Sequence, residues 1–133
     1  MDIVLKPKSV VRFFVLIIIC LSLAHIARYL LLFYFGRSYG LYLFDLDEER
    51  NIPTLYASIT LLFCSVLLSI IAFARKNGSM SAFLQWLGLA GIFLFLSIDE
   101  AVIIHEHLID PIRSTLNTSG FLYFAWLIPY GIF

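Results

Sequence analysis

Long apolar runs separated by short polar breaks set the pattern of this chain. Three runs, Val11 to Phe35, Thr54 to Ala74 and Ala82 to about Leu108, each reach the length of a membrane-crossing helix. About 30 Å of hydrocarbon requires roughly 20 residues at ~1.5 Å each. A fourth run, Phe121 to Phe133, is too short to cross. The pattern predicts an all-α integral membrane helical bundle forming one domain over residues 1–133, with three complete spans and an incomplete fourth. The unfinished fourth run leads us to expect the N-terminal part of a longer chain.

The breaks carry their own signals. Asn77-Gly78 is a tight-turn pair that should make the second and third spans antiparallel neighbours. Pro53 stands near the first turn of the second span, where a missing N–H costs nothing. Leu41, Phe44 and Glu48 have helical spacing, which predicts one or two turns in the loop from Gly36 to Pro53. Pro111 is expected to end the third helix, because proline cannot extend the hydrogen-bond ladder.

Charge gives the orientation. Lys6, Lys8 and Arg12 precede the first span and Arg75 and Lys76 follow the second, whereas the loop at 36–53 is net acidic. The positive-inside rule then places the N-terminus in the cytoplasm and the acidic loops outside, as in a bacterial inner membrane. A cleavable signal peptide ending near Ser22-Leu-Ala24 is the competing reading, disfavoured because the apolar run continues to Phe35.

Composition narrows the class further. The chain has 133 residues, 62% hydrophobic and 14% charged, with a formal net charge of zero, which excludes an ordinary soluble domain. It has no basic stripe to meet phosphates, so nucleic acid is not an expected partner; the lipid bilayer is. Gly88 and Gly91 would let a helix of another copy or another protein approach closely. Cys20 and Cys64 lie inside spans without paired spacing and read as small core residues. Asn77-Gly-Ser79 and Asn117-Thr-Ser119 match glycosylation triplets that no other feature supports.

The candidate chemistry sits at the end of the third span, where Asp99, Glu100, His105, Glu106 and His107 follow a run free of charge from Phe83 to Ile98. Ionisable groups at membrane depth are costly unless paired or wetted, and so mark a candidate site. Asp99 lies ~24 Å beyond Phe83, while His25 and Arg28 lie ~20 and ~24 Å beyond Arg12. His25 and Arg28 therefore reach the same layer as Asp99 and Glu100, and Arg28 or His25 is expected to pair with Asp99 or Glu100.

Metal-ligand patterns are incomplete. The cluster has neither Glu-x-x-His nor His-Glu-x-x-His. A divalent metal would have to draw ligands from His25, Glu100, Glu106, His107 and Asp110 on more than one helix. Asp45-Leu-Asp47-Glu-Glu49 imitates a calcium loop but lacks its turn glycine and distal glutamate, where Arg50 and Tyr56 stand.

The segments Phe44-Asp-Leu-Asp-Glu-Glu-Arg50-Asn-Ile-Pro53-Thr54 and Leu96-Ser-Ile-Asp99-Glu100, followed by His105-Glu106, resemble a family of uncharacterised bacterial polytopic membrane proteins. That resemblance covers most of the chain. It implies further spans after Tyr123-Phe-Ala-Trp126-Leu-Ile-Pro129 and assigns no activity. Three functions stay open: a structural or accessory bundle, a membrane-embedded metal-dependent enzyme, and a proton or cation pathway.

Overall fold

A computed structural model describes residues 6–37, 40–116 and 131. The fourth apolar run, the Asn117 triplet and the segment around Trp126 lie outside the described residues. Among residues 6–116 that are described, four α-helices and one 3₁₀ turn follow in order: α1 (Pro7–Phe35), the turn Leu41–Phe44, α2 (Ile52–Arg75), α3 (Met80–Val102) and α4 (Ile104–Leu116). Of these, α1, α2 and α3 are long and apolar enough to cross a membrane. Large apolar side chains such as Leu16, Phe33, Ile59, Ile70 and Leu94 stand exposed along them. Such surface is at home in lipid and a liability in water.

The chain divides into two compact units, residues 1–53 and 54–133. In the first, Pro7 opens α1 and Gly36 closes it in the left-handed conformation (φ 66°), its N–H reaching the Leu32 carbonyl at 3.0 Å. Glycine suits this cap because it has no Cβ to clash. The 3₁₀ turn is the short helical segment expected from Leu41 and Phe44, and it packs on α1.

In the second unit, α2 and α3 are joined by the expected turn at Asn77-Gly78. The N–H groups of Gly78 and Ser79 both bond the Arg75 carbonyl, and Ser79 caps α3 by accepting from the Ala82 N–H at 3.3 Å. The two helices then meet along small residues. Ser58 Oγ donates to the Ser97 carbonyl and Ser97 Oγ to the Ser58 carbonyl, both at 2.8 Å, while Ser65 Oγ donates to the Ala90 carbonyl at 2.8 Å. Ser58, Ser65 and Ala72 recur every seven residues on α2, as do Ala90 and Ser97 on α3, and all five are buried. A seven-residue repeat keeps one seam facing its partner along a left-handed pair, and small residues let the backbones approach.

The third helix departs from expectation at its end. Instead of running to about Leu108, α3 stops at Val102 and α4 begins at Ile104, with Ile103 between them in the left-handed region (φ 63°, ψ 43°). Pro111 does not end a helix; it lies inside α4, which continues to Leu116. The proline removes the N–H that would have met the His107 carbonyl but leaves the turns on either side intact.

Candidate functional site

Two groups of ionisable side chains are built, one in each unit. In the first, His25 and Arg28 stand one turn apart on α1, so both project from one face toward the loop that follows the 3₁₀ turn. Asp45 leaves that turn in extended conformation and is 4% exposed. Its Oδ2 receives the Arg28 guanidinium, and its Oδ1 lies 3.5 Å from His25 Nδ1 and accepts the Asp47 N–H at 3.2 Å. The Leu46 N–H donates to His25 Nδ1 at 3.0 Å, which makes Nδ1 the acceptor nitrogen of a neutral ring. Asn51 fastens the far end of the loop by donating to the carbonyls of Asp45 and Glu48. Arg50, at φ 59°, supplies the left-handed residue that the tight loop needs. The loop is thus tied to α1 by a buried ion pair and a backbone-to-ring hydrogen bond.

In the second unit Asp99, on the last turn of α3, is 5% exposed. Its Oδ1 accepts the main-chain N–H of His105 at 2.8 Å and its Oδ2 faces His105 Nδ1 at 2.9 Å. A helix N-terminus leaves N–H groups without intrahelical partners and carries partial positive charge, so a carboxylate there is favourable. Asp99 therefore caps α4 from the preceding helix. His107 Nδ1 donates to the Ile103 carbonyl at 2.6 Å. Glu100 and His105 are half-buried, while Glu106, His107 and Asp110 are exposed on α4.

The residues singled out in the sequence are therefore sorted into two sets. His25 and Arg28 are given a carboxylate from their own unit, Asp45, which the sequence pattern presents only as part of an incomplete calcium loop. Asp99 and His105 come together across the Ile103 break, which a continuous helix could not achieve, since residues six apart lie on different faces. His107 turns back to the main chain. Among the described residues, the group of three prospective metal ligands within 4.8 Å of one another is His25, Asp45 and Asp47. A cation there would compete with the Leu46 N–H for Nδ1 and with Arg28 for the Asp45 carboxylate. What the sequence left unmarked is the role of Asp45 as partner of Arg28 and the serine seam; the seven-residue recurrence of Ser58, Ser65 and Ala72 is the available signal for the seam.

Chemically, His105 and His107 each turn Nδ1 toward an oxygen, the Asp99 carboxylate and the Ile103 carbonyl, which fixes the orientation of each ring. Metal-binding and general-base histidines are held in this way. Neighbouring acids on α4 supply negative charge but no assembled set of three ligands among the described residues. Gly88 and Gly91 are exposed on α3, and a Cβ at either would meet open space.

No curated protein and no solved structure matches the chain. Residues 11–133 match the model of a domain of unknown function, DUF8692, and the chain belongs to that family.

Proposed function

We propose that this is a polytopic inner-membrane protein of structural or accessory type, whose ionisable groups fasten the outer ends of its helices. The observation that carries the reading is that both buried carboxylates, Asp45 and Asp99, are engaged by donors of their own unit. Buried charge is tolerated when paired and hydrogen-bonded, and such pairing fixes geometry rather than leaving a reactive group poised. In this reading α1, α2 and α3 span a bacterial membrane with the N-terminus in the cytoplasm. The Asp45 loop and α4 then lie at the outer face, and Gly88-x-x-Gly91 offers an open seam to a second helix.

The grouping of His25, Asp45 and Asp47 favours one second reading, a metal-dependent enzyme at the membrane surface. It would require a divalent cation to take the place of the Leu46 N–H and of Arg28 at this group. Replacing Asp45 by Asn distinguishes the two. The structural reading expects loss of thermal stability and of protein level in the membrane with no bound metal to lose. The enzyme reading expects a folded protein depleted of metal.

A further inference from the structure

Nothing local in the sequence ends α3 at Val102. From Ser97 to Asp110 the chain contains neither glycine nor proline, and Ile103, β-branched and buried, is among the residues least suited to φ 63°. The left-handed conformation must therefore be held from outside the residue. The holding group is Asp99. In a continuous helix the His105 N–H would bond the Ala101 carbonyl four residues back; here it bonds the Asp99 carboxylate at 2.8 Å, and the His105 ring adds a second bond to the same group. The Ile103 N–H still bonds the Asp99 carbonyl at 2.6 Å, the i to i−4 partner it would have in a straight helix. The difference between bent and straight forms is thus centred on one residue's backbone and on the few hydrogen bonds that would span it, that of the His105 N–H among them.

We propose that Ile103 is a strained hinge and that the Asp99 carboxylate is the latch that keeps α4 bent away from the line of α3. Release of the latch lets Ile103 return to the right-handed region. The chain from Met80 to Leu116 then becomes one helix, with α4 carried outward in line with α3.

Spin labels at positions 94 and 114, both exposed, report the two forms in the full chain reconstituted in nanodiscs, with Cys20 and Cys64 replaced by serine. A straight helix separates these positions by about 30 Å. The wild type is expected to give one distance shorter than this, and Asp99→Ala a second population near 30 Å. Adding Ile103→Gly, which accepts φ above zero without strain, should suppress that population. Should Asp99→Ala fail to fold, Asp99→Asn keeps one acceptor oxygen and should show a smaller straight population, again suppressed by Ile103→Gly. A distance distribution unchanged in these Asp99 variants would overturn the proposal, as would a straight population that persists with Ile103→Gly.

Discussion

Ser58 on α2 and Ser97 on α3 each donate a hydroxyl to the other's main-chain carbonyl at 2.8 Å. The reciprocity brings two backbones close at a point where lipid-facing helices gain nothing from hydrophobic burial against each other. It sets the register that places the next contact, Ser65 to the Ala90 carbonyl, seven residues along each helix.

From this seam follows a difference between small and large replacements. Ser58→Ala or Ser97→Ala should each cost about 0.6–2 kcal/mol, the range for interhelical hydrogen bonds in membranes. Ser58→Leu should cost more than either, because there is no room for the added side chain between the backbones. Denaturation in mixed micelles measures both; equal stability of Ser58→Leu and Ser58→Ala would argue against close approach.

Arg28→Ala strands the buried Asp45 carboxylate and should destabilise the first unit by ~3–5 kcal/mol, the cost typical of removing one partner of a buried pair. The double variant Arg28→Ala with Asp45→Ala should recover part of that loss, since no charge is left without its partner. A thermal-melt double-mutant cycle gives the coupling, and additive losses would show that the pair is not the clasp described above.

The two bonds to Asp99 differ in what removes them. His105→Ala deletes the ring bond but leaves the main-chain N–H on the carboxylate, whereas Asp99→Ala deletes both. Asp99→Ala should therefore be the more destabilising, by about 1.5–3 kcal/mol if the extra bond to the charged group has its usual worth. Thermal unfolding in detergent orders the two variants, and a larger loss for His105→Ala would reverse the assignment.

Topology is tested by cysteines introduced at Asp47 and Gly78 in a Cys20→Ser, Cys64→Ser background. The account expects an impermeant maleimide added to intact cells to label position 47 and not position 78. Labelling of both from the same side would sink the orientation.

The long apolar runs made the three membrane-length helices legible in the sequence, and Asn77-Gly78, Pro53 and the Leu41–Phe44 spacing made their ends and connections legible. The break at Ile103 was not, because propensity and apolar pattern both continue through it, and the acceptor that imposes it comes from a side chain four residues earlier. Pro111 misled in the opposite sense: it reads as a helix end, yet α4 tolerates it by forgoing one bond. Arg28 was identifiable as a residue needing a counter-charge, and His25 as a polar group needing a partner. Asp45 was hidden as their partner because it follows an irregular loop, where helical depth arithmetic has no purchase.

If Asp45 serves to fasten its loop, its carboxylate is committed to Arg28 and the Asp47 N–H and not to a resident metal. Elemental analysis of the purified full-length protein, wild type beside Asp45→Asn and His25→Asn, decides between the two roles. The fastening role predicts far less than one equivalent of zinc, iron or manganese in the wild type, unchanged in the variants. One equivalent in the wild type, lost in either variant, would contradict it.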